Sequence, residues 1–148
     1  MGYIRNEIIE VTKLTNASIS ELAPEEQQEI RRQIFLKFVH DKPRWIWEGL
    51  TDKVAVQNPD AWRWVSDFVM NAEVLMFFNK QDEIAIFKFD DGSQLVPVLS
   101  ECTGFEFYLT NATTDYLICF NHHNFLIAAG TAVDWLKKRI GYIDRQTS

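Results

Sequence analysis

The stretch Tyr116–Ile140 constrains the fold more than any other: YLICF, a polar NHHN, FLIAAG and TAVDWLKKRI follow one another with no spare residue. Two short apolar runs joined by four polar residues can only pair antiparallel, because a parallel partner needs a crossover of a dozen residues or more. Both runs are apolar at consecutive positions, as in central strands covered above and below. Ala128, Ala129 and Gly130 are small, so a closing helix can lie close on the sheet. Thr131 and Asp134 form a Thr-x-x-Asp start for that helix, and Lys137, Lys138, Arg139 and Gly141 supply its C-terminal charges and cap.

Upstream, Ile4, Ile8 and Val11 mark one stripe of a first helix, interrupted at Thr15, Asn16 and Ser18. A second helix opens near Ser20 and Pro24, with Glu25, Glu26 and Glu29 early and Arg31, Arg32 and Lys37 late, the order the helix dipole favours. Its apolar stripe is Ile30, Ile34, Phe35, Phe38 and Val39, and Lys42-Pro43 stops it. RWIWEGL, Arg44–Leu50, reads as a strand. Asn58-Pro59-Asp60 opens a third helix with Ala61, Trp62, Val65, Phe68 and Val69 inward, ending near Asn71. Period-two runs follow at Val74–Phe78, Glu83–Phe89, Gln94–Leu99 and Glu106–Thr110, then the hairpin Tyr116–Phe120 and Phe125–Ala129. In the second run Ile84, Ile86 and Phe89 mark the packed side and Glu83, Ala85 and Lys88 the outer one. The expectation is an α+β fold in one domain, residues 1–148: N-terminal helices packed on an antiparallel sheet of about six strands, a C-terminal helix and a frayed tail at 143–148.

The net charge of −6 is unevenly spread: residues 60–115 hold ten acids and three bases, a net −7, against −1 before and +2 after. An acidic midsection repels nucleic acid and anionic lipid and favours a basic protein partner. No run approaches the roughly 20 apolar residues of a membrane span. Arg5, Glu7, Glu10 and Lys13 interrupt the apolar centre a secretory signal needs, and Cys102 and Cys119 fit no zinc or redox spacing. The expected setting is cytoplasmic, with both cysteines in the core.

Chemistry is sparse. His122-His123 between Asn121 and Asn124 sits where a scaffold could present it, but the chain has one further histidine, His40, and zinc needs three or four ligands. No metal and no cofactor are expected. A doublet ahead of a helix also occurs in HNH endonucleases, yet TAVDWLKKRI carries no histidine. Asp82-Glu83 and Asp90-Asp91 fall in expected hairpin turns, with Asp91-Gly92 a tight-turn pair. No G-x-S-x-G elbow, Gly-rich phosphate loop, HExxH or Walker pattern occurs, so no catalytic residue is assigned. Five tryptophans are many for this length. Trp62 and Trp135 suit the core, while Arg44, Trp45, Trp47 and Trp64 are candidates for a contact surface, because Trp and Arg dominate interface hot spots.

The run YLICFNHHNFLIAAG, preceded by FEFYLT and followed by a short helix, resembles small uncharacterised bacterial α+β proteins that are toxin-immunity-like; the likeness spans roughly residues 105–136. The SUKH-type immunity superfamily is similar in architecture, with N-terminal helices on a mainly antiparallel sheet. The resemblance implies an immunity-type protein and no catalytic residue. The resulting expectation is a non-enzymatic protein-binding module that meets a basic partner through an acidic face. Its contact residues are Arg44, Trp45, Trp47, Trp64, Asp82, Glu83, Asp90 and Asp91. The alternative is a small enzyme or ligand-binding domain using Glu48, Asn121, His122, His123 and Asp134. A homodimer formed through the sheet is a further expectation.

Overall fold

Alternate residues along each central strand point to opposite faces, and here both faces are apolar. Val74, Met76, Phe107, Leu109, Ile118 and Ala128 enter one buried cluster, while Leu75, Phe77, Tyr108, Leu117, Cys119 and Ile127 enter another. A sheet of that composition must be covered twice, and it is. The computed structural model describes residues 3–147, with the backbone alone described over 142–147.

Among the described residues five α-helices accompany seven strands, all paired antiparallel. In chain order they are α1 (Tyr3–Thr15), β1 (Ile19–Glu21), α2 (Pro24–Phe38), β2 (Val54–Gln57), α3 (Val65–Val69), β3 (Val74–Phe77), β4 (Phe87–Phe89), α4 (Leu95–Ser100), β5 (Phe107–Thr110), β6 (Tyr116–Phe120), β7 (Phe125–Gly130) and α5 (Val133–Thr147). The strands lie in the order β1-β4-β3-β5-β6-β7-β2. On one face α2 buries Ile30, Ile34 and Phe38, joined by Ile46 and Leu50 from the loop that follows it. On the other lie Ile4, Ile8 and Val11 of α1, Val65 and Val69 of α3, Leu95 and Val98 of α4, and Leu136 of α5. The fold is α+β, with seven strands where about six are expected. Among the described residues no helix is long and apolar enough to cross a membrane.

The hairpin of β6 and β7 pairs Tyr116 with Gly130 through to Phe120 with Leu126, in the register the two apolar runs predict. Several local expectations fail. Arg44–Leu50 is not a strand but a loop with a 3-10 turn at Ile46–Gly49. Its backbone is tied locally, since Trp45 N–H donates to Glu48 Oε1 at 3.1 Å and Glu48 N–H to the Trp45 carbonyl at 3.0 Å. Gln94–Leu99 is a 3-10 turn running into α4. Leu95, Val98 and Leu99 are buried at helical spacing, and Pro97 has no N–H to give a central strand.

The run from Glu83 pairs only at Phe87–Phe89, and its facing is inverted at the start: Glu83 and Ala85 are buried while Ile84 is exposed. The cause is Glu83 itself, whose carboxylate accepts from Arg5 N–H at 3.3 Å and Ala85 N–H at 3.1 Å and so turns inward. Asp91 makes no hairpin either; its Oδ1 caps a 3-10 turn through Ser93 N–H at 2.9 Å. β1 and β2, the two edges, are additions, pairing with β4 and β7.

Gly130 has φ +66, and a Cβ there would strike the Asp115 carbonyl oxygen and the Phe38 ring. Gly141, read from the sequence as a cap, lies inside α5 with open space around it. Of the expected tail, residues 143–147 continue α5 in backbone course and Ser148 lies outside the described residues. Gly130→Ala is expected to destabilise the protein by about 2–4 kcal/mol, from left-handed strain and overpacking. Gly141→Ala is expected to stabilise it by about 0.5–1 kcal/mol, by lowering backbone entropy in a helix. Urea denaturation of the two variants beside the native chain checks both signs.

Candidate functional site

The β6–β7 turn, Asn121–Asn124, is built by its first residue. Asn121 Oδ1 accepts from His123 N–H at 3.0 Å and Phe125 N–H at 3.1 Å, and Asn124 takes φ +64, which asparagine tolerates well. Asn121 is itself buried, while His122 and His123 stand exposed on the tip.

Below them lies a buried polar network that sequence reasoning missed. Glu106, whose side chain is 6% exposed, accepts from His122 Nδ1 at 2.9 Å and from His122 N–H at 3.1 Å. Its other oxygen accepts from Asn79 Nδ2 at 2.6 Å. Asn79 Oδ1 in turn accepts from Tyr108 O–H at 2.9 Å and Ile46 N–H at 3.0 Å, and Trp47 N–H donates to the Tyr108 oxygen at 3.1 Å. One chain of hydrogen bonds thus runs from the 3-10 turn, through the ends of β3 and β5, to His122. A lone glutamate opening a strand carries no signal of this in the sequence; its partner lies sixteen residues further on.

The network fixes the rings above it. Trp47 meets both histidines edge to face, at centroid distances of 6.0 Å to His122 and 5.9 Å to His123. Trp45 meets His122 at 6.0 Å, and the Arg44 guanidinium lies 5.2 Å from the Trp45 ring. Two sets of residues expected to serve different purposes, Arg44-Trp45-Trp47 and Asn121-His122-His123, therefore form a single surface cluster. Glu48 joins it through its bond to Trp45 N–H. Within the cluster Trp47 Nε1 and Asn121 Nδ2 are buried donors that no described residue accepts from.

Other expected residues lie elsewhere. Trp64 packs in the cluster on the opposite face of the sheet, with the Arg139 guanidinium 4.6 Å from its ring. Asp134 opens α5, beyond the far end of β7 from the histidines. Asp82 and Glu83 precede β4 and Asp90 and Asp91 follow it, so the four carboxylates do not make one patch, and Glu83 is buried. Asp90 accepts from the Ser18 hydroxyl at the sheet's β1 edge. Carboxylates gather instead around a groove of about 460 Å³ beside α2, where Glu25, Glu26, Glu29 and Glu73 outnumber one lysine, Lys88, around Leu22, Ile30 and Leu75; Glu73 pairs with Lys88 and Glu29 with Arg32, which leaves Glu25 and Glu26 outside any ion pair among the described residues.

The Glu106 carboxylate orients His122 as carboxylates orient imidazoles in catalytic and metal sites, and the other ring nitrogen, Nε2, makes no hydrogen bond among the described residues. Among the described residues no three His, Cys, Asp or Glu side chains are grouped to hold a metal ion. Of the two free cysteines, Cys119 is buried and Cys102 half-buried. Burial, helped by the charge of Glu7, pushes the Cys102 thiol up to about 12, and burial pushes Cys119 well above its ordinary range.

Comparison with known proteins adds one positive finding. The model of a family of unknown function, DUF6756, matches residues 2–140. The chain belongs to that family. No curated protein and no solved structure matches it. The family match spans every element that builds the cluster, from the 3-10 turn to the β6–β7 hairpin.

Two outcomes follow for this DUF6756 protein. Asn79→Ala leaves the Tyr108 hydroxyl, Ile46 N–H and Glu106 short of partners in a buried space, and is expected to cost about 3 kcal/mol in a denaturant titration. Both thiols are expected to react with iodoacetamide at least about tenfold more slowly in the folded chain than in urea at mildly alkaline pH, followed by mass spectrometry.

Proposed function

We propose that this protein is a non-enzymatic protein-binding module of immunity type, whose contact surface is the cluster of Arg44, Trp45, Trp47, His122 and His123. The observation that carries the reading is the meeting of four rings, from segments far apart in the chain, at a partly exposed surface braced by a buried hydrogen-bond network. Large rings held in place lose little entropy on binding, and Trp and Arg supply most of the energy in known interfaces. The toxin-immunity resemblance of the β6–β7 run points to the same class.

A second reading keeps His122 as the working group of a small enzyme or ligand-binding domain. What favours it is the 2.9 Å bond to a carboxylate that is almost fully buried, an arrangement that prepares an imidazole to move a proton. A basic partner, the expectation from charge alone, would find its complement in the groove of Glu25, Glu26, Glu29 and Glu73 rather than at Asp82 to Asp91.

The test is affinity purification from the native host with three forms of the tagged chain: native, Trp45→Ala/His122→Ala and Glu26→Lys/Glu73→Lys. The reading expects a stoichiometric protein partner recovered with the native chain and reduced at least about tenfold with the first variant. Loss confined to the second variant would move the contact to the acidic groove. Recovery unaltered by either variant would remove the basis for the proposed surface.

A further inference from the structure

α2 is flanked by two grooves of opposite character. The acidic one is described above; the other, of about 720 Å³, runs between α2 and the loop that carries Lys42, Pro43 and Arg44, and reaches the turn at Asn79–Gln81. Apolar side chains line its walls. Phe35 and Leu36 are 41% and 68% exposed there, with Val39, Pro43 and Ile46 beside them. Phe35 was expected on the buried stripe of α2, but the helix turns Arg31 inward in that direction instead. The Arg31 guanidinium donates to the carbonyls of Phe78 at 2.9 Å and Ile84 at 3.2 Å.

The charge around this groove is reversed relative to the whole chain. Five cationic residues line it against one carboxylate, Asp41. Two are occupied, Arg31 by backbone carbonyls and Arg32 by Glu29. Lys42, Arg44 and Lys80 make no ion pair among the described residues. On a chain of net charge −6, three unpaired cations around exposed phenylalanine and leucine set a local field that selects an anionic, partly apolar occupant. Arg44 belongs to both features: it lines the groove and stacks on Trp45.

We propose that this groove docks an acidic segment of the partner protein, its apolar side chains on Phe35 and Leu36 and its carboxylates against Lys42, Arg44 and Lys80. The inference rests on the protein-binding reading and specifies the chemistry of the partner. A polypeptide fits better than a small anion because the cations share the groove with exposed Phe35 and Leu36, an apolar surface that a small anion would leave uncovered. A chain alternating carboxylates with large apolar side chains satisfies both.

The experiment pans a random dodecapeptide phage library on the immobilised full chain and measures the enriched peptides, once synthesised, by fluorescence anisotropy. Native protein is compared with Leu36→Asp, with Lys42→Glu/Lys80→Glu and with Trp45→Ala/His122→Ala. The groove side chains changed are exposed, and thermal melts of each variant verify folding. Peptides rich in Asp and Glu with interspersed large apolar residues are expected, weakened at least about tenfold by both groove variants and weakened by added salt. Peptides lost only with the Trp45/His122 variant would leave the protein-binding surface standing and overturn the groove. Basic or neutral consensus peptides would also overturn it. No enrichment at all would count against both. Sedimentation showing a doubled mass abolished by Leu36→Asp would make the groove an interface between copies, and dodecanoate binding there without any peptide would make the occupant a free anionic amphiphile. Either result would end the proposal.

Discussion

The Asn79 side chain, almost wholly buried, holds together three parts of the molecule that the chain itself keeps far apart. Its carbonyl oxygen takes the Ile46 N–H of the 3-10 turn and the Tyr108 hydroxyl of β5, and its amide donates to Glu106. A buried amide with only one partner would cost about 1–3 kcal/mol, so this position tolerates little else. Without it the turn carrying Trp45 and Trp47 keeps one bond to the sheet, from Trp47 N–H to the Tyr108 oxygen, and loses the one at Ile46. The carboxylate that holds His122 loses its other support as well. The surface cluster is thus an outcome of interior hydrogen bonding as much as of apolar packing.

A second buried polar arrangement acts a few residues further on. Arg31 reaches from α2 to the carbonyls of Phe78, Glu83 and Ile84, and its guanidinium lies 5.4 Å from the Phe77 ring. Burial lowers its pKa to about 10, with the charge of Glu83 working the other way, so it stays protonated at neutral pH. The segment between β3 and β4 is wrapped on this one cation and on the Glu83 carboxylate, which explains why a run that alternates like a strand pairs for only three residues. On the same helix Phe35 lies at the flank of the buried stripe and Leu36 on its outer face, so both are exposed.

Much of the fold was legible because it is local. The β6–β7 hairpin follows from two apolar runs and a four-residue polar link, and α2 from its charge order and Pro24. Short apolar segments were not legible. QLVPVL alternates well enough for a strand and repeats well enough for a helix, and only the burial of Leu95, Val98 and Leu99 on one side decides. β1 and β2 are edges of three and four residues whose partners lie about seventy positions away, so no local pattern announces them. At the candidate site the histidine doublet and the paired tryptophans stood out by residue type. Glu106 and Asn79 did not, since a single Glu and a single Asn near strand ends are ordinary residues until something buries them.

The amino-acid sequence by itself determined that this chain makes an antiparallel sheet covered on both faces, closes it with a helix, and carries two histidines on a tight turn. Those features depend on periodicity and on turn residues, which act over a few positions. Tertiary structure alone decided that the histidines meet the tryptophans, that Glu83 faces inward, and that a cationic groove opens on an acidic protein. Each depends on which strands become neighbours and on which buried donor finds which acceptor. Those are contacts between residues distant in the chain, selected by the penalty on an unpaired polar group in the interior.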